Sequence, residues 1–209
     1  FARNRVALAA GLVMCAAAAL FLAQAVRGSA RISAAAARAR GFEMSGRTSA
    51  ARDAYLAVLG LDPAHDFARE GSERTGRALQ RAANLLEAAR PLLDQARAAS
   101  YDVRVDPSVP AEALVQAEQK VREALVAAED VGLAHSRLGE ILEQRGDYRN
   151  AVERYRRATA LDPRSGPSRY RLGRVLLWQA YLGSLNMWTV PDPAERAAAE
   201  ALAREGARE

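Results

Sequence analysis

The sequence predicts an all-α protein in which one membrane-spanning helix precedes a series of antiparallel helix pairs. Half of the 209 residues are hydrophobic but only 6% are aromatic, and the most frequent apolar residue is alanine, the strongest helix former. Apolar residues recur at helical spacing over much of the chain. Two segments also end alike, LGLDP at Pro63 and TALDP at Pro163, which indicates an internal repeat.

Residues 1–28 are predicted to form a transmembrane anchor with basic flanks. Residues 6–26 contain no charge and stand between Arg5 and Arg27. As a helix they would extend about 31 Å, the thickness of bilayer hydrocarbon. We therefore expect a single-pass membrane protein. Because a composition rich in alanine and arginine is typical of GC-rich bacterial genes, we expect the membrane to be a bacterial inner membrane. Because both flanks are basic, the side of the membrane that carries the repeats stays open.

Two alternatives to an anchor are a signal peptide and a lipoprotein site. A signal peptide has a shorter apolar region, and Phe1 is interpreted as an internal residue of a longer protein cut at both ends. A lipid attached to Cys15 would need a small residue where Met14 stands. We favour the retained anchor.

Small residues recur every fourth position in this segment and share one helix face. Such rows allow two helices to approach closely in lipid, which predicts a homodimer through the membrane helix. The alternative is that an alanine-rich segment forms such a row by chance. The predicted packing face consists of Ala7, Gly11, Cys15, Ala19 and Ala23.

The composition disfavours several classes of function. The formal charge is +5, but the arginines are spread along the chain without interleaved aromatic residues, so we expect no nucleic-acid partner. One cysteine and two histidines give no disulfide framework or metal-ligand set. No phosphate loop or nucleophile motif is present. We predict no catalytic residue, metal or cofactor in this chain.

Residues 132–165 predict a helical hairpin. Leu138 and Leu142 share one face of a first helix, and Gly146 with the following aspartate breaks the chain. A second helix then turns its inner face toward the first, and it ends where an aspartate precedes a proline. That inner face consists of Ala151, Tyr155 and Ala158.

This hairpin resembles the tetratricopeptide repeat (TPR) family. The resemblance implies a solenoid, a right-handed superhelix of antiparallel helix pairs that binds a protein or peptide ligand on its concave face. His135 and Leu142 stand where the family usually has larger aromatic residues. The matching residues are Leu138, Gly139, Ala151, Tyr155, Ala158 and Pro163.

The rest of the chain follows this pattern less closely. Residues 29–65 are predicted to be a degenerate TPR-like repeat, and residues 66–131 a divergent helical region with a loop at 101–110 and a kink or break at Pro91. Residues 166–209 are predicted to be a partial repeat with an extended turn and a truncated helix.

The first helix of each TPR hairpin lines the ligand groove, so the resemblance also gives candidate groove residues. They are mixed in charge and include aromatic residues and an arginine, types that dominate interface energetics. A clamp for a terminal carboxylate is disfavoured, because Ser136 and Glu140 replace the basic and asparagine residues it uses. The candidates are Ser136, Glu140, Glu143, Tyr170, Arg174, Leu177 and Trp178.

Three other features have both a functional and a structural interpretation. The Arg145-Gly146-Asp147 tripeptide is an adhesion motif, but glycine and aspartate are also what a turn before a helix needs. The carboxylates near it are interpreted as a solvated face, not an acid–base pair. His135 is interpreted as a packing residue at the helix contact.

Together these features predict a membrane-anchored interaction scaffold. A membrane span followed by degenerate repeats is similar to the C-terminal part of bacterial receptor-type serine/threonine protein kinases, whose kinase domain would lie before Phe1. The alternative is a bitopic envelope assembly or secretion factor with no attached enzyme. A third class, an enzyme of helical repeats, lacks a recognisable site here.

Overall fold

The computed structural model is all-α in the part of the chain that it describes. It describes the backbone of residues 2–101 and 108–185 and of single residues 193, 197, 200, 201 and 204, and side chains from residue 20 except 22, 23, 25, 101 and 180–185. Seven helices and no strand are found in these residues. They are α1 (Ala2–Met44), α2 (Thr48–Leu61), α3 (Asp66–Tyr101), α4 (Ser108–Ala127), α5 (Gly132–Gln144), α6 (Tyr148–Leu161) and α7 (Gly166–Leu185).

The chain divides into two compact units. The first comprises Phe1–Ser45 and Ala50–Thr75, and the second Gly46–Ser49 and Gly76–Glu209. In the first unit, alanines and a valine pack around the fully buried Tyr55. In the second, alanines and larger aliphatic residues of α3, α4 and α5 form one core. A smaller core joins α6 to α7 around Tyr155.

The turn between α5 and α6 follows from its two central residues. Gly146 has a φ of 78°, a left-handed conformation that glycine adopts without strain. The carboxylate of Asp147 then accepts a hydrogen bond from the backbone N–H of Asn150 at 3.2 Å, which caps α6. The local chemistry of two residues therefore makes the hairpin.

The two helices of this hairpin approach closely at Gly139. A Cβ atom on Gly139 would lie 2.8 Å from a ring carbon of Tyr155, closer than two carbon atoms can pack. The Tyr155 ring is fully buried in this space. In the first unit Tyr55 is buried equally, and there the glycine facing its ring is Gly71 of α3, where a Cβ would lie 2.5 Å away.

Helix boundaries in the middle of the chain differ from those expected. Helix α3 continues through Pro91, although proline removes one helical hydrogen bond. Leu93 and Ala96 on the following turn are fully buried, and this packing holds the helix together. Helix α4 begins at Ser108, inside the segment expected to be a loop, and Pro110 lies in its first turn, where a missing N–H costs nothing. Residues 102–107 lie outside the described part.

The prediction of a single-pass membrane protein is wrong for the helices that the structure describes. Within the described residues, no helix combines the length and the apolar character needed to cross a bilayer. The physical reason is visible in α1, because its described side chains from Leu20 onward include Arg27, Arg31 and Arg38. Nothing found supports the lipid and homodimer predictions. The side chains of Ala7, Gly11, Cys15, Ala19 and Ala23 lie outside the described part.

We predict that Gly139→Ala destabilises the chain by about 1–3 kcal/mol, because the added methyl group must displace a buried ring. Gly41→Ala in α1 is the matched control. Nothing lies within 4 Å of a Cβ there, so the change raises helix propensity without a clash. Urea denaturation followed by circular dichroism measures both free energies of unfolding. Equal effects of the two substitutions would contradict the close approach.

Candidate partner-binding site

One buried tyrosine links three helices of the second unit. Tyr155 of α6 donates its hydroxyl hydrogen to Glu143 of α5 at 2.9 Å, and Arg174 of α7 donates to the other oxygen of the same carboxylate at 2.7 Å. Burial and the Glu143 charge raise the pKa of Tyr155 well above its usual range, so the phenol stays protonated as a donor. The carboxylate therefore connects α5, α6 and α7.

The first unit contains the same three residue types one hundred positions earlier. Tyr55 donates to Glu43 at 2.6 Å, and Arg74 donates to Glu43 at 2.6 Å through Nε and 2.9 Å through a terminal nitrogen. The hydrogen bond from Arg74 holds the pKa of Glu43 below its usual value. Burial and the Glu43 carboxylate raise the pKa of Tyr55 to about 12. These three residues are not among the predicted site residues, although their equal spacing from Glu143, Tyr155 and Arg174 is visible in the sequence.

A second polar cluster surrounds Glu140, whose side chain is only 5% exposed. Arg97 of α3, Arg137 of α5 and Arg171 of α7 all pair with its carboxylate, Arg137 at 3.0 Å. Burial alone would raise the pKa of Glu140, but the charges and hydrogen bonds of Arg171 and Arg137 outweigh it and hold that pKa below the usual range. One ionised carboxylate is thus shared by three guanidinium groups.

Only part of this cluster has a sequence signal. Arg137 and Glu140 are three residues apart on one helix, a spacing at which side chains meet. Arg97 lies 43 positions from Glu140 and reaches it only because α3 packs beside α5. No local pattern predicts that pairing.

The structure separates the candidate groove residues into a buried and an exposed group. Ser136 and Glu140 are buried, at 5% and 4% exposure. Glu143 is tied to Arg174. Leu177 is half-buried, and the exposed members are Tyr170, Arg174 and Trp178. The exposed part therefore lies on α7, and Glu143 supports it from below.

The Arg-Gly-Asp tripeptide is tied into the hairpin. Arg145 pairs with Glu118 of α4, and the same carboxylate accepts from Arg122 at 2.8 Å. Burial opposes ionisation of Glu118, but its two arginine partners lower its pKa below the usual value. Asp147 caps α6. Both charged members of the tripeptide thus have structural partners.

His135 is buried at the start of α5, where the sequence predicted a packing residue. Its Nε2 lies 2.9 Å from the backbone oxygen of Glu129, and its Nδ1 is buried without a hydrogen-bond partner. Burial lowers the pKa of His135, and the positive charges of Arg154 and Arg157 add to that effect. The neutral imidazole is therefore the form that the fold accommodates.

The helices thus form hairpins. A glutamate on the first helix of one hairpin pairs with an arginine on the first helix of the next hairpin. Residues 134–165 match the tetratricopeptide repeat family, so a TPR repeat is present there and the sequence-based resemblance of that hairpin is confirmed. A comparison with curated proteins gave no match. TPR repeats generally bind protein partners, which suggests an interaction scaffold. Nothing found supports the resemblance to receptor kinases or the assignment to bacteria.

We predict that Glu140→Gln lowers the free energy of unfolding by about 3 kcal/mol at neutral pH, because three guanidinium groups lose their shared countercharge. Glu153→Gln is the control, since the Glu153 carboxylate is 67% exposed and pairs with Arg156 on the same helix. Urea denaturation measures both. Since the folded pKa of Glu140 lies below the ordinary value of 4.5, wild-type stability should fall as the pH drops below that value. Glu140→Gln should lose this part of the acid dependence, and an unchanged acid profile would contradict the assignment.

We predict that the buried His135 makes the repeat less stable in mild acid. Its folded pKa is lowered, so the unfolded chain takes up a proton first as the pH falls through the ordinary value of 6.5, and stability declines there. His135→Phe fills the same buried site without a titrating group and should flatten this part of the profile. The free energy of unfolding measured from neutral to mildly acidic pH tests it. Equal slopes for both proteins would refute the prediction.

Proposed function

We propose that the chain is a non-catalytic scaffold that binds a peptide segment of a partner protein along α7. The observation that supports this most is the exposed row of Tyr170, Arg174 and Trp178. These residues are spaced four apart, so they lie on one face of successive turns. Tyr170 and Trp178 are 40% and 47% exposed.

The chemistry of this row suits peptide recognition. Tryptophan, tyrosine and arginine are the residues most often found at energetic hot spots of interfaces. The Arg174 guanidinium lies 5.8 Å from the centre of the Tyr170 ring, which orders both side chains. Two amphipathic rings and an oriented guanidinium form a surface that can contact apolar side chains and backbone carbonyls of an extended peptide.

The network beneath the row keeps it in place. Glu143 holds Arg174 at 2.7 Å, and the buried Tyr155 holds Glu143 in turn. Because these contacts exist before a partner arrives, less side-chain entropy is lost when one binds. Glu143 is therefore assigned a positioning role, and the α7 row the contact role.

We predict that Trp178→Ala weakens binding of a peptide selected against the wild-type chain from a random displayed library. Loss of a central aromatic contact should cost about 2 kcal/mol, or roughly thirtyfold in affinity. Val126→Ala is the control, because Val126 of α4 is 89% exposed and lies on another helix of the same unit. Isothermal titration calorimetry with the selected peptide measures each affinity. If every selected peptide binds Trp178→Ala as tightly as wild type, α7 is not the site.

A further inference from the structure

The face of α6 that points away from its neighbours has an excess of positive charge. The helix has 14 residues, and its charged residues are four arginines and one glutamate. All five are exposed, and from Arg149 to Arg157 they extend about 12 Å along the helix. The α6 arginine face consists of Arg149, Arg154, Arg156 and Arg157.

Most of this charge is not compensated within the protein. Glu153 pairs with Arg156 at 3.2 Å, at a spacing of three residues. Arg149, Arg154 and Arg157 have no carboxylate partner in the part of the chain that the structure describes. Arg154 and Arg157 are also three positions apart, where like charges cost helix stability.

Helix α4, by contrast, has no excess of positive charge. It contains three glutamates against one lysine and one arginine, and Glu118 pairs with Arg122 at 2.6 Å. Mixed signs are sufficient for solubility and avoid self-repulsion. The excess of positive charge on α6 therefore has a cost that solubility does not explain.

The field of this face also reaches the interior. Arg154 and Arg157 add to the effect of burial in disfavouring a proton on His135. An acidic ligand bound at these arginines would reduce this repulsion. The arginine charges that destabilise the free protein locally are therefore the charges that an acidic ligand would neutralise.

We propose that the α6 arginine face is a second docking surface, specific for an acidic segment of a partner protein. Guanidinium groups form paired hydrogen bonds with carboxylates, so a run of aspartates or glutamates is the complementary chemistry. The observations favour a protein over a nucleic acid, because α6 offers no exposed aromatic ring for base stacking: Tyr155 is buried and Tyr148 half-buried. This surface is separate from the α7 row.

The test measures binding of a fluorescein-labelled oligoglutamate peptide to the whole chain by fluorescence anisotropy, with salt varied. Arg149→Gln, Arg154→Gln and Arg157→Gln together remove three charges without lowering helix propensity much. The matched control changes three exposed arginines of α1 and α3, Arg38→Gln, Arg77→Gln and Arg90→Gln, with the same net charge. Circular dichroism melts verify that both variants fold.

We expect the α6 variant to bind the peptide about tenfold more weakly and with a shallower salt dependence, and the control to bind nearly as wild type. Trp178→Ala should leave this affinity unchanged, which separates the α6 surface from the α7 row. The proposal is overturned if wild type fails to bind oligoglutamate at low salt, or if both triple variants weaken equally. Tighter binding of an RNA or DNA oligonucleotide than of oligoglutamate would also overturn it.

Discussion

The contact between the Tyr155 ring and Gly139 is the constraint on which the rest of the second unit depends. With no side chain on Gly139, α5 and α6 approach until the ring fills the space between them. The hydroxyl is then fixed at Glu143, and Glu143 fixes Arg174. The absence of a side chain at Gly139 therefore determines how α5, α6 and α7 pack together. Two of these helices, α6 and α7, carry the residues that we propose bind partners.

The first unit has the same hydrogen bonds around its buried tyrosine, but the tyrosine ring packs against a different helix. Glu43, Tyr55 and Arg74 form the same links, but the glycine under the tyrosine ring comes from α3. Arg40, one hundred positions before the buried Glu140, lies 4.4 Å from the centre of the Phe67 ring. A hydrogen bond requires particular atoms at a particular distance, whereas an aromatic ring requires only a space of the right size. The two units therefore share the polar contacts but differ in which helix supplies the glycine beneath the ring.

The sequence predicts those parts of the fold that local chemistry decides. Gly146, Asp147 and Pro163 predict the hairpin, because turn geometry and capping need those residue types, and the TPR match agrees. The Glu140 cluster could not be predicted, since Arg97 reaches it only through tertiary packing. The membrane prediction rested on the length of an uncharged run, and no helix of the described residues is long and apolar enough to cross a bilayer. Continuity through Pro91 likewise depends on neighbours that the local sequence does not specify.

The proposed partner binding and the contact with Glu143 both use the Arg174 guanidinium group. It is exposed beside Tyr170 and Trp178, and it also neutralises the carboxylate that Tyr155 donates to. A ligand carboxylate that captured Arg174 outright would leave Glu143 with the phenol alone and loosen the link between α5 and α7. In the proposed site, recognition and cohesion would therefore be thermodynamically linked at this residue, so that ligands sharing the guanidinium would be favoured over ligands that remove it.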